Sequence, residues 1–375
     1  MNRRRSAAGS PYMEWAKLCS TARYNLATSG MAAFPLAKLG VEIGQLEING
    51  PSGCGYGYEP LLGKIAARYN VPQESIVSAI GASMGNYLAL AATTEPGDQI
   101  LVERPNYEPL LSTARYLGLT IKHFQRRSNF AVDSADLERQ MTPRTRVIVI
   151  TNLHNPSGAF CSEITLREVA ALARNNGTYV LVDEVYREML FERRPRSAFH
   201  IDPERFLITN SLTKAYGLSG LRCGWVLAPP DVARRIWRIN DLHGATFVHP
   251  GELLSVIAFE QLGRISAHMK TLLETNRKLL RQFLSARDDL DCYWPEYGTI
   301  VFPRLRRGSA EQFCELLRTR FETSVVPGRF FECPDRFRIG VGGPTETVRE
   351  SLRQLGTGLD AFAETSMSSS SRRSS

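Results

Sequence analysis

The sequence predicts an α/β protein: a mainly parallel sheet sandwiched by helices, with a smaller α+β domain. Three observations lead there. Short apolar runs recur at Gln99–Val102, Leu119–Phe124, Arg146–Thr151, Tyr179–Val182 and Phe206–Thr209. Arg146–Thr151 is so rich in β-branched residues that it should be buried on both faces, as strands of parallel sheets are. Helical stretches alternate with these runs: Ser162 can cap a helix that runs to about Asn175 and stops at Gly177. Finally, polar residues gather just past the strand ends: Asn155, Asp183, Ser211 and Lys214. In open α/β sheets that edge is where ligands bind.

Residues 1–10 are polar and aperiodic and read as disordered. Residues 11–45 are assigned to the small domain, 46–264 to the large domain, and 265–363 to the C-terminal part of the small domain. The Ser-rich tail, 364–375, reads as low complexity and disordered. Within the large domain, Asn49–Tyr58 is too dense in glycine for regular structure throughout. Leu61, Leu62, Ile65 and Ala66 then fall at helical spacing over Pro60–Tyr69. Small residues at Ile80–Asn86 open another helix, whose free N–H groups form an anion site in principle. One further strand follows Trp225 and runs to Ala228, and Leu253–Ala286 is largely helical. Ile300–Leu305 and Arg336–Val341 read as strands, with a helix at Ala310–Arg320 between them.

Composition removes several function classes. No apolar run is long enough to span a bilayer, and the Arg-rich start lacks the apolar stretch of a secretory signal. Seven scattered cysteines without a C-x-x-C pair argue for a reducing cytoplasm and against a disulfide frame or a zinc site. The net charge of +8 is spread along the chain, and there is no helix-turn-helix or zinc-finger spacing. It reads as an ordinary basic enzyme surface, with no nucleic-acid or membrane partner.

The stretch Ser211–Arg222 carries the chemistry. It supplies a hydroxyl, a lysine and an arginine among small residues. A lysine in an apolar setting loses its proton more readily and becomes a nucleophile toward carbonyls. Ser211 and Arg222 are the residue types that hold a phosphate. Lysine plus phosphate holder points to pyridoxal phosphate, an aldehyde that carries a phosphate.

Four motifs stand in one order: Asn155-Pro156-Ser157-Gly158, Asp183-Glu184-Val185-Tyr186, Ser211-Leu212-Thr213-Lys214 and Gly220-Leu221-Arg222. The set resembles the class I/II aminotransferases, the aspartate-aminotransferase-like pyridoxal-phosphate enzymes of fold type I, from about Leu26 to Gly342. The resemblance implies that Lys214 bonds to the cofactor and that Asp183 pairs with its ring nitrogen. Asn155 and Tyr186 would meet the ring's phenolic oxygen, and Tyr107 its face. Ala82, Ser83, Ser211 and Arg222 would bind the phosphate. Arg338, Gly30 and Asn155 would bind the substrate α-carboxylate. Lys214, Asp183 and Tyr186 would form the catalytic group.

The implied reaction moves an amino group from an α-amino acid to a 2-oxo acid, in a cytoplasmic homodimer with shared active sites. Tyr56 is the candidate for a residue lent to the neighbour. Around His243–Pro250 no arginine fits a second, distal carboxylate, so an aspartate-type substrate is not supported. The same cofactor would also serve a β-lyase, decarboxylase, racemase or oxidase. A regulatory protein that senses the cofactor is a third reading, but only ten residues precede the fold, too few for a DNA-binding domain. Cis bonds are implied at Arg104–Pro105 and Asn155–Pro156.

Overall fold

The computed structural model describes residues 9–50, 55–193, 196–244 and 246–371. The N-terminal segment 1–8 lies outside the described residues. The helices are α1 (Pro11–Leu18), α2 (Glu59–Tyr69), α3 (Gly81–Thr93), α4 (Glu108–Tyr116), α5 (Ser134–Gln140), α6 (Glu163–Asn176), α7 (Pro230–Gly244), α8 (His249–Glu260), α9 (Leu262–Ser285), α10 (Ala310–Arg320) and α11 (Thr345–Ser371). The main sheet has seven strands: β1 (Ile76–Ile80), β2 (Gln99–Arg104), β3 (Thr120–Gln125), β4 (Thr145–Thr151), β5 (Tyr179–Asp183), β6 (Phe206–Ser211) and β7 (Cys223–Leu227). Their order across the sheet is β1-β7-β6-β5-β4-β2-β3.

β2 pairs parallel with β3 and β4, β4 with β5, and β5 with β6. Residues 147–151 of β4, 180–183 of β5 and all of β6 are buried without alternation, because helices cover both faces. β7 breaks the parallel pattern and runs antiparallel to both β1 and β6. The link from β6, Leu212–Arg222, holds only a short 3-10 turn, and without a crossover helix the next strand cannot be parallel. α6 matches its sequence signals closely. Ser162 Oγ accepts from Thr165 N, and Gly177 ends the helix at φ +66°.

β1, α1, α4, α5 and α7 are elements that the sequence pattern did not separate from their surroundings. β1 has five residues and runs directly into Gly81, so period and boundary signals overlap there. The predicted strand Ile300–Leu305 is two, Ile300–Val301 and Arg304–Leu305. Pro303, which has no N–H for a ladder, falls between them. Helix α11 continues to Ser371, across residues 364–371 where composition predicts disorder; a helix already nucleated extends at little cost. Residues 372–375 lie outside the described residues.

Outside the main sheet, Tyr24–Asn25 pairs in parallel with Thr323–Ser324, so the N-terminal segment joins the C-terminal elements. Ile300–Val301, Phe337–Gly340 and Val326–Pro327 form a three-stranded antiparallel sheet. α9 starts at Leu262, and its single long helix passes the predicted boundary at residue 264.

Candidate active site

The residues singled out in the sequence meet at the C-terminal edge of the parallel strands. Asp183 is the last residue of β5. It is flanked in register by Thr151 of β4 and Thr209 of β6. Its Oδ2 accepts from Asn86 Nδ2 at 2.8 Å and its Oδ1 from Val185 N at 3.0 Å. Burial pushes the carboxyl's pKa up, while those two hydrogen bonds and the Lys214 charge pull it down.

Lys214 leaves the β6–β7 link and donates from Nζ to Ser29 Oγ at 3.1 Å. Burial and the Arg338 charge bring its pKa down to about 8, against the pull of Asp183. A buried amine that titrates so near neutrality suits both nucleophilic attack and proton transfer.

Arg338 lies in the strand Phe337–Gly340 and is fully buried. Nη1 donates to Asn155 Oδ1 at 2.8 Å, and Nη2 to Tyr12 Oη at 3.0 Å and Ala27 O at 2.9 Å. Its Nε has no partner among the described residues. A buried guanidinium with a free N–H is prepared for an anion. Arg336, the rival by position, instead donates to Phe302 O and covers the Phe130 and Phe302 rings.

Asp183, Lys214, Ser29, Asn155 and Tyr12 line one cavity of about 620 Å3, as do Gly30, Ala82, Ser83, Tyr107, Tyr186, Ser211 and Arg222. That volume falls in the range of small-molecule sites. Gly30 runs beside the lysine: a Cβ there would meet Lys214 Cδ at 3.3 Å. Tyr107 packs edge-on against Tyr12, with centroids 5.7 Å apart. Burial carries the Tyr186 phenol up to about 12, so it stays protonated as a donor.

At the other end of the cavity, α3 begins at Gly81 with no side-chain cap. Its first N–H groups are therefore open to a ligand. Gly81 has φ +76°, and a Cβ there would strike the Arg222 guanidinium. Arg222 itself sits at φ +51° and reaches back to Ile80 O at 3.2 Å and Ser219 O at 3.3 Å. Helix end, Ser211 hydroxyl and Arg222 guanidinium line this end of the cavity, and Lys214 and Asp183 line the same space.

Several residues escaped the sequence reading. Asn86 and Thr209 form a buried chain, Thr209 Oγ1 to Asn86 Oδ1 at 2.6 Å and Asn86 to Asp183. Beneath Asn155, Glu103 accepts from Thr151 N and Oγ1 at 2.8 and 2.6 Å and from Arg126 Nε at 2.9 Å. Thr151 Oγ1 in turn accepts from Asn155 N at 3.0 Å. Ser29 and Tyr12 complete the set. Only Ser29 carried a sequence signal, as the neighbour of Gly30. Tyr56 lies in a different cavity, against Trp237, and donates to Asp241 Oδ2. Arg104–Pro105 is cis as implied, but the cis bond of the next loop is Asn152–Leu153, and Asn155–Pro156 is trans. That loop's turn is closed by Gly158 N donating to His154 O across the trans prolyl bond.

Fold and site together define a pyridoxal-phosphate enzyme of fold type I. The chain belongs to the class I and II aminotransferase family, whose model matches residues 55–355. It is 31% identical over 353 residues to capreomycidine synthase of Streptomyces vinaceus, across 92% of this chain and 90% of that one. It is 27% identical over 301 residues to the arginine–pyruvate transaminase AruH of Pseudomonas aeruginosa, across 76% of this chain and 75% of that one. The structure superposes on that of a PLP-dependent aminotransferase from Streptococcus suis with a TM-score of 0.87, at 26% identity and covering 94% and 97% of the two chains. The protein is thus a pyridoxal-phosphate-dependent aminotransferase, and its reactants are an amino acid and a 2-oxo acid. Among the described residues no helix is long and apolar enough to cross a membrane.

Proposed function

We propose that the cavity between β5, the β6–β7 link and Arg338 transfers the amino group of a non-acidic α-amino acid. The observation that carries this is the meeting of Asp183 and Lys214 in one cavity, with Arg338 behind Asn155. When bound, pyridoxal phosphate supplies an electron sink for the pair left as Cα loses its proton. Asp183 holds the ring nitrogen, and its negative charge favours the protonated ring. Asn155 and Tyr186 donate to the ring oxygen, each worth about 1 kcal/mol. Tyr107 covers the ring. Ala82 and Ser83 N–H groups, Ser211 and Arg222 hold the phosphate.

Lys214 would act as the base that takes the proton from the substrate Cα and as the acid that gives it back. Arg338, with its Nε open, would hold the α-carboxylate beside Gly30. Beyond these groups, Trp15, Ser20, Thr28 and Thr347 line the cavity, and among the described residues of this chain no further arginine does. A distal acid would be buried without a partner there, which costs several kcal/mol in real proteins. That supports a non-acidic side chain.

The domain division of the sequence reading, 11–45 with 265–363 around 46–264, is retained, supported by the pairing of Tyr24–Asn25 with Thr323–Ser324. A homodimer is supported by the exposed apolar residues Ile48, Tyr56 and Val248 around the second cavity. Tyr56 is retained as the residue lent to the neighbour. The scattered cysteines support a cytoplasmic setting.

Borohydride reduction should fix one cofactor per chain onto Lys214, read by peptide mass, and Lys214→Ala should abolish turnover. Full turnover in Lys214→Ala would end the reading. A screen of amino donors against several 2-oxo acids should show ping-pong kinetics and little activity with aspartate.

A second reading is favoured by the 31% identity to a synthase, above that to the transaminase. Here the cofactor is the same and the bond made or broken lies beyond Cα. Product formed from an amino acid with no 2-oxo acid present would favour it.

A further inference from the structure

Ser29 is buried, and its main chain is fixed: Thr299 Oγ1 donates to Ser29 O at 2.7 Å, and Met31 N to Lys214 O at 2.8 Å. Its hydroxyl meets two groups of the site. Lys214 Nζ lies 3.1 Å from Ser29 Oγ, and Ser29 pulls the Tyr186 phenol's pKa down against burial. A hydroxyl has one proton to give, and an ammonium can only donate. Ser29 Oγ therefore accepts from the Lys214 ammonium, which leaves its own proton for a neighbour such as Tyr186 Oη.

We propose that Ser29 is a further catalytic residue of this site, whose hydroxyl aims the Lys214 amine and ties it to the Tyr186 phenol. The proposal rests on Lys214 being the lysine that bonds the cofactor. The charged groups that face this amine are Asp183 from β5, Arg338 from the strand Phe337–Gly340, and Arg222 from the end of the β6–β7 link. Asp183 favours the ammonium and both arginines oppose it. Ser29 is the uncharged acceptor in this balance. It holds one N–H without adding charge, which leaves the other amine positions to face the cavity. Without it the ammonium loses an acceptor, so the proton leaves at lower pH and the amine is free to turn.

The test uses full-length Ser29→Ala, Ser29→Thr, Tyr186→Phe and the double variant Ser29→Ala/Tyr186→Phe. Protein stripped of cofactor is mixed with pyridoxal phosphate from about pH 6 to about pH 10, because only the neutral amine attacks the aldehyde. The midpoint of the capture rate should move to lower pH in Ser29→Ala and return in Ser29→Thr. With cofactor bound, the single-turnover reaction with an amino donor should slow about fivefold to tenfold in Ser29→Ala. The Ser29→Ala effect should be smaller in the Tyr186→Phe background, since one chain is already broken. An unmoved capture midpoint, or fully additive effects of the two substitutions, would overturn the proposal. Borohydride labelling keeps the two failures apart. An unlabelled Lys214 in wild-type protein defeats the lysine assignment, whereas labelled Lys214 with a silent Ser29→Ala defeats only the role of Ser29.

Discussion

Asn86 Nδ2 donates to Asp183 Oδ2 across 2.8 Å, inside a helix-and-strand junction where both side chains are buried. The carboxylate can only accept, so the amide must turn its nitrogen toward it. Its oxygen then faces Thr209, whose hydroxyl donates at 2.6 Å. Thr209 is the register partner of Asp183 on the neighbouring strand. One strand pairing therefore sets both the carboxylate and the residue that orients its donor. Burial drives the Asp183 pKa up, and the Asn86 hydrogen bond is the largest opposing contribution. Asn86→Ala should thus raise it further and weaken the grip on a protonated ring. A hydrogen bond to a charged group is worth about 1.5–3 kcal/mol, so cofactor affinity should fall roughly tenfold to a hundredfold. Titration of stripped protein with pyridoxal phosphate measures this. Thr209→Val should give a smaller loss in the same direction.

The depressed Lys214 pKa makes a prediction about stability in the absence of cofactor. The folded group titrates at about 8 and the ordinary value is 10.5. Between the two, the unfolded chain binds more protons than the folded one, so stability rises with pH across that window. Below about pH 8 the full cost of burying the ammonium is present, on the order of 3 kcal/mol for this shift. Cofactor-free Lys214→Met, similar in size and without charge, should melt higher than wild type at pH 7. Its advantage should shrink as pH rises from 8 toward 10.5. A pH-independent difference would mean that Lys214 is not a buried ammonium in the empty site.

How much of this was legible beforehand follows from range. Lys214, Asp183, Asn155 and Arg222 each follow a strand end in a local motif, and the fold brings them together as the β-α-β rhythm requires. The helix cap at Ser162 and the stop at Gly177 are equally local, and both stand. Asn86 sits inside a helix where nothing separates it from a surface amide, and its role comes from Thr209 more than a hundred residues away. Tyr12 reaches Arg338 across nearly the whole chain. The direction of β7 goes unread, because strand direction leaves no mark on composition; only the short link from β6 records it.

The contact between Gly81 and Arg222 gives a prediction at the phosphate end. Gly81 adopts φ +76°, a region that side chains enter at a cost of about 1–2 kcal/mol, and a Cβ would also strike the guanidinium. Gly81→Ala should displace Arg222 from the helix start and lower cofactor affinity at least tenfold. Arg222→Ala should produce a comparable loss. The two should not add, because each removes the same cation from the same place. Additive losses in a double variant, measured by cofactor titration, would show that Gly81 matters through its backbone alone.

Glu103 and Arg126 supply the last prediction, about what supports Asn155 from below. Glu103 is buried, its pKa pushed up by that burial and held down by Arg126 and Thr151. The pair reaches the site through Thr151, which receives Asn155 N, and Asn155 Oδ1 receives Arg338. Arg126→Met leaves a carboxylate buried without its cation, which costs about 3–5 kcal/mol. Glu103 can escape that cost only by taking up a proton, so the variant should regain stability as pH falls. It should lose it again as pH rises, the opposite sign to Lys214. Glu103→Leu/Arg126→Met removes both charges and should be more stable than Arg126→Met alone. It should still bind the substrate carboxylate poorly, because Thr151 and Asn155 have lost their anchor. Urea unfolding across pH separates the charge cost from this loss of alignment, and KM for the amino donor reads the alignment directly. Should the double variant recover both stability and wild-type KM, Glu103 would be a core ion pair with no bearing on the site.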